Sequence, residues 1–225
     1  MSWMPMSEPW LTLVGDVHSN VADYVRLVCE SAYSVQLGDL GFDYTLLEQL
    51  DPARHRFLPG NHENYAALPP HALGDFGVWT VPGAEPEGLS GDIFFVRGAW
   101  SIDKSSRTEN VDWFAEEELS DEQFAQAIDL YTAVKPDWVI SHDCPSALLR
   151  RLTSFRWPSR TNQNLQRMLD RHRPKRWFFA HHHFNWSRQI DGTLFFCLGE
   201  LSALDMDKRL RIGPYYRGGR PPAIP

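Results

Sequence analysis

The sequence predicts an α/β fold, and two observations carry that expectation. Short apolar runs of strand length alternate with segments whose apolar residues recur at helical spacing. Polar clusters, most of them with a glycine, follow the runs, which places functional groups at the carboxyl ends of strands, where open α/β sheets hold ligands.

Trp10–Gly15 reads as a buried strand entering a loop at Gly15–Asn20. Val21–Ala32 carries Val21, Val25, Val28 or Cys29, and Ala32 on one stripe, so a helix is expected there with Asn20 as its N-cap. Ser34–Leu37 is a second strand, Tyr44–Leu50 a helix and His55–Leu58 a third strand stopped by Pro59-Gly60. Trp79–Val81 and Ile93–Gly98 read as strands across a Gly/Pro-rich connection. Asp121–Val134 is an amphipathic helix with a capping box from Ser120 to Gln123. Trp138–Ser141 is a strand, Thr161–Arg173 a helix closed by Pro174, and Trp177–Ala180 and Thr193–Leu198 are the last strands.

The 225 residues suit one domain, expected over residues 1–208, with an Arg/Gly/Pro-rich tail at 209–225 expected to be irregular. No membrane span is expected, because no run of about 18 apolar residues occurs. The start, MSWMPMSEPWLTLVGD, has no basic region followed by an apolar one, so no secretory signal is expected. The three cysteines form neither a paired zinc motif nor a disulfide framework, and a reducing, cytoplasmic setting is expected. The net charge of −7 argues against bulk attraction to nucleic acid. Arg150–Arg176 is nevertheless basic, with Asp170 its only acidic residue.

Five clusters carry the chemistry: Gly15-Asp-Val-His18, Gly38-Asp39, Gly60-Asn-His-Glu63, Ser141-His142 and His181-His-His183. Together they offer carboxylates, an amide oxygen and imidazoles, a donor set for first-row divalent or trivalent cations. It lacks the thiolates of a cysteine-bound zinc and is too rich in histidine for calcium. In an extended strand end, residues two apart face the same side, so Asp16 with His18, and His181 with His183, are expected to face one metal region.

The order of these clusters resembles the calcineurin-like metallophosphoesterases, from Gly15 to His183. The resemblance implies a four-layer α/β/β/α sandwich with two mixed sheets. It implies one metal held by Asp16, His18 and His183, another by Asn61, His142 and His181, and Asp39 bridging them. The expected cofactors are two ions, Mn foremost, with Fe or Zn as alternatives. His62 would sit beside the substrate phosphate as the catalytic residue and help protonate the leaving oxygen. The activity implied is hydrolysis of phosphate esters by a metal-bridging hydroxide, most simply of monoesters on a protein or small molecule. The alternative is a phosphodiesterase or nuclease, for which the basic segment speaks. Three positions depart from the family pattern. Ser19 replaces Gly, Ala180 replaces Gly, and Gly38-Asp-Leu-Gly-Phe-Asp43 displaces the second Asp and lacks an Arg, which removes the expected Asp partner of the catalytic His.

Other residues have simpler expectations. His182 should turn away from the metals, and His55, His71 and His172 should lie at the surface. Glu63 either hydrogen-bonds a metal ligand or caps the next helix. Arg107 is a candidate phosphate contact, because guanidinium matches phosphate oxygens bidentately. Arg150, Arg151, Arg156 and Arg160 flank Phe155 and Trp157. This is either a charged helix face or a stacking surface for single-stranded nucleic acid. The tryptophans should serve the core.

Overall fold

The computed structural model describes residues 8–86, 90–153 and 157–218. In chain order, β1 (Leu11–Val14) leads to α1 (Val21–Val28), and β2 (Tyr33–Gln36) to β3 (His55–Phe57). The hairpin β4 (Phe76–Thr80) and β5 (Asp92–Val96) precedes α2 (Asp121–Val134) and β6 (Trp138–Ser141). Then follow α3 (Ser146–Leu152), α4 (Arg160–Arg171), β7 (Arg176–Phe179), β8 (Trp186–Ile190), β9 (Thr193–Cys197), β10 (Ser202–Met206) and β11 (Ile212–Gly218).

Two mixed sheets result, ordered β11-β10-β1-β2-β3 and β4-β5-β6-β7-β9-β8. The alternation along each strand sorts residues into three apolar layers. Leu11, Leu13, Val35, Ile93, Phe95, Trp138, Ile140 and Phe178 meet between the sheets. Phe94, Val139, Trp177, Phe179 and Phe195 face α2, α3 and α4. Val14, Phe57 and Ala203 face α1. The layering is α/β/β/α, as the resemblance implies. Each fully buried aromatic or branched side chain contributes about 1.5–3 kcal/mol, so these layers hold the loops at the strand ends in place.

Several elements differ from expectation. α1 stops at Val28, and Asn20 makes no side-chain cap; its amide turns back to the Val17 carbonyl at 3.0 Å. The segment expected as a helix at Tyr44–Leu50 is a 3-10 turn, Thr45–Gln49. The α2 capping box forms as predicted, with Ser120 Oγ accepting Gln123 N–H at 3.2 Å and Gln123 Oε1 accepting Ser120 N–H at 2.8 Å. The tail is not irregular throughout, because β11 pairs antiparallel with β10 and extends a sheet. β8 is polar on most of its surface and lacks an apolar alternation. A hairpin turn at Asp191-Gly192, both at positive φ, pairs it with β9. Trp157 is 79% exposed, against the expectation that the tryptophans serve the core.

Candidate metal centre

All five clusters meet where the parallel strands end. Asp16 and His18 follow β1, Asp39 follows β2, Asn61 and His62 follow β3, His142 follows β6, and His181 and His183 follow β7. Donor atoms of Asp16, His18 and His183 lie within 4.8 Å of one another, as do those of Asp39, His142 and His181. His18, Asp39 and His62 form another such group, so Asp39 belongs to both halves. His18 Nε2 is 3.9 Å from Asp39 Oδ2, and His142 Nε2 is 3.2 Å from Asp39 Oδ1. Asn61 Oδ1 lies 3.2 Å from His142 Nε2. The seven residues expected as ligands therefore converge.

The backbone brings them together by a different device from the one expected. His18, Asp39, His181 and His183 have φ of 46°, 59°, 66° and 57°. Left-handed turns, not strand alternation, aim these side chains, at a cost of roughly 1 kcal/mol or more per residue. Hydrogen bonds hold the turns. Val17 and His18 donate N–H to the Asp39 carbonyl at 2.9 and 2.8 Å. The buried Gln36 amide ties the Gly15 and Gly38 carbonyls together. Gly38 itself has φ 109°, and a Cβ there would stand 2.1 Å from His142 Nδ1. We expect Gly38→Ala to destabilise the fold by roughly 3 kcal/mol through strain and overpacking. Urea unfolding measures this, and a loss below 1 kcal/mol would contradict it.

Neighbouring groups orient the donors. Asp39 Oδ1 accepts N–H from both Asn61 and His62 at 2.8 Å, and Asp16 Oδ1 accepts His181 N–H at 3.0 Å. His142 Nδ1 donates to the Leu37 carbonyl at 2.7 Å, which directs Nε2 at Asp39. Asn61 Nδ2 donates to Ser101 Oγ at 3.0 Å, and Ser101 Oγ donates to Glu117 Oε2 at 2.6 Å. That chain turns Asn61 Oδ1 inward. Gln36, Ser101 and Glu117 were not singled out from the sequence; no motif marks them, and Glu117 lies 16 residues beyond its partner.

These residues fit a pair of cations. Asp16 Oδ2 and His181 Nδ1 are buried with no hydrogen-bond partner among the described residues, a costly state for polar atoms unless a cation offsets it. Burial, with the Asp39 charge beside it, pushes Asp16 up to about 8, against the pull of His142. Burial also acts on Asp39, but the charge and hydrogen bond of His142, with His62 and His181, hold its carboxyl well below the ordinary range. His142 rises to about 10 because Asp39 and Asp16 more than offset its burial. Burial lowers His181 to about 3 and lowers His18 and His183 as well, so these imidazoles are neutral and able to ligate.

His62 faces the same cleft. Burial lowers its pKa, with Arg107 adding to that and Asp39 opposing it. The Arg107 side chain is 7% exposed and lies against the site. It donates to His62 Nε2 and, at 3.2 Å, to the Asn61 carbonyl, and Asp103 holds it at 2.8 Å. Asp43 instead binds Thr45, at 2.9 Å to N–H and 2.6 Å to Oγ1, well suited to a turn and not to orienting His62.

The remaining expectations divide. His182 does turn aside, 3.4 Å from Asp143 Oδ1 and 3.5 Å from Cys144 Sγ. His55 and His71 are buried, against expectation, because each has a partner: Ser34 Oγ at 3.0 Å and the Leu50 carbonyl at 3.0 Å. His172 is half-buried, 2.9 Å from the Pro136 carbonyl. Glu63 bonds neither a ligand side chain nor a helix cap; its Oε1 accepts Leu40 N–H at 2.8 Å and steadies the Asp39 loop. The described residues of the basic segment do not gather on one free surface. Arg160 lies 3.9 Å from Glu118, Arg173 3.6 Å from Asp191, and Arg176 sits over the Trp138 ring. Phe155 and Arg156 fall outside the described residues. No helix among the described residues is long and apolar enough to cross a membrane.

A family model described as calcineurin-like phosphoesterase matches residues 9–185. No curated protein matches the chain. Among solved structures, a candidate 5'-nucleotidase from Staphylococcus aureus superposes with a TM-score of 0.52 at 13% identity, over 90% of this chain and 52% of that one. Phosphopantetheinyl hydrolase from Mycobacterium tuberculosis superposes with a TM-score of 0.46 at 16% identity, over 86% of this chain and 90% of that one. At such identity the first likeness speaks for the fold alone.

Proposed function

This chain belongs to the calcineurin-like phosphoesterase family, and from that premise we propose that it is a dinuclear metal-dependent phosphoesterase acting on phosphomonoesters. One observation carries the reading: donor atoms of Asp16, His18 and His183 lie within 4.8 Å of one another, as do those of Asp39, His142 and His181, and Asp39 also groups with His18 of the first set. Asp16, His18 and His183 would hold one cation and Asn61, His142 and His181 the other, with the Asp39 carboxylate between the two sets. Mn is the foremost candidate, and the same oxygen and imidazole donors accept Fe or Zn. When bound, such cations polarise phosphoryl oxygens and activate water as the nucleophile.

The chain's own residues do the rest. Water supplies the new P–O bond, the bond to the leaving oxygen breaks, and one proton ends on the leaving alcohol. His62 is positioned at the cleft to give that proton. Arg107 already donates to His62 Nε2. A phosphate dianion between them offers the guanidinium a stronger acceptor and favours a protonated His62. The three free cysteines accord with a reducing, cytoplasmic setting.

Hydrolysis of p-nitrophenyl phosphate with added Mn²⁺ tests the reading. Activity is expected with metal and lost with chelator. Apparent metal affinity should rise from pH 6 to 8, because cation uptake displaces the proton that Asp16, raised to about 8, holds below that pH. Undiminished turnover in chelator would end the proposal.

A further inference from the structure

A cavity of about 540 Å³ opens at the metal centre, lined in part by Asn61, His62, His181 and His183. Part of its wall is apolar. Trp100 and Ile102 from the loop after β5 line it together with Leu149 of α3 and Thr153, which follows that helix. Ile102 is 72% exposed, an apolar side chain held at the mouth of a polar site.

The polar groups on that wall are already engaged. Ser159 Oγ accepts Asn162 N–H at 3.1 Å, and Asn162 Nδ2 donates to the Cys144 carbonyl at 2.8 Å. Asp143 Oδ1 accepts Cys144 N–H at 2.7 Å, and Asp103 is paired with Arg107. What the wall offers an incoming group is carbon surface. Among the described residues its lining contains no lysine or arginine. Arg150 and Arg151 stand exposed on α3, outside the lining. Asp103 and Asp143 do line the cavity, so a second phosphate entering it would meet carboxylates. A strand of nucleic acid or a polyphosphate needs the opposite.

Building on the phosphoesterase reading, we propose that this wall receives the leaving group and selects phosphomonoesters of uncharged alcohols bearing an apolar, ring-sized body. Trp100, Ile102 and Leu149 are the residues that set this specificity. Hydrolysis releases the free alcohol and inorganic phosphate.

The test compares 2-phenylethyl phosphate with ethyl phosphate, whose leaving alcohols differ little in basicity, on the Mn²⁺-loaded protein. Burying the ring should raise kcat/KM for the phenylethyl ester by about tenfold or more. The matching phosphonates, which are not hydrolysed, should bind in the same order when titrated calorimetrically. Ile102→Ser, a change at an exposed position, should bring the ratio towards one. Equal turnover and equal binding of the two compounds would overturn the specificity proposal while leaving the phosphoesterase reading intact. Faster cleavage of a single-stranded oligonucleotide than of either ester would also overturn it. Hydrolysis of no phosphoester with any first-row cation would overturn both readings together.

Discussion

Asp39→Asn is expected to lower kcat/KM for phosphomonoesters by at least about a thousandfold, roughly 4 kcal/mol, and to leave the protein with fewer than two bound cations. The cause is the central place of this carboxylate. Its Oδ1 lies 3.2 Å from His142 and takes two backbone N–H groups, while Oδ2 faces His18 at 3.9 Å. An asparagine oxygen can still accept the N–H bonds of Asn61 and His62, so the loop and the fold should survive, as circular dichroism would report. The amide cannot offer two anionic oxygens to two cations or offset their repulsion. Metal content measured alongside activity separates this account from simple unfolding. A variant with two cations per chain and activity within tenfold of wild type would refute the bridging role.

His62→Ala should reduce kcat for alkyl phosphates by about 10²–10⁴, the usual contribution of a positioned proton donor, with KM changing far less. The loss should be much smaller for p-nitrophenyl phosphate, whose leaving group needs no proton. Bound metal should be unchanged. That last measurement matters because a donor atom of His62 also lies within 4.8 Å of those of His18 and Asp39. A drop in metal content equal to that of Asp39→Asn would make His62 a ligand and not the proton donor. Equal losses for alkyl and aryl esters would argue against leaving-group protonation.

Much of the centre can be read from residue types and their order. Asp16, His18, Asp39, Asn61, His142, His181 and His183 each follow a short apolar run, and a strand must end where such a run gives way to polar residues. The core faces were not legible in that way: Leu11–Val14 and Trp138–Ser141 are buried along their whole length, and only the packing sorts their residues between the sheets or under the helices. Elements with weak local signals were not legible. Ser202–Met206 and Ile212–Gly218 become strands because β1 leaves an open edge for β10, and β10 another for β11. Their own side chains carry no strand pattern strong enough to announce this.

Arg107 shows the same division at the site. Its guanidinium chemistry is evident in isolation, but contact with His62 depends on the loop after β5 folding back across 45 residues of sequence. So does the support of Asn61 by Ser101 and Glu117. By itself, then, the sequence determined the fold class and the family and marked out the residues that converge at the strand ends, because these depend on local periodicity and short motifs. Only the tertiary structure decided how those donors are aimed, through left-handed turns at His18, Asp39, His181 and His183, and what shares the cleft with them. Both depend on contacts between segments far apart in the chain, where spacing carries no information about distance.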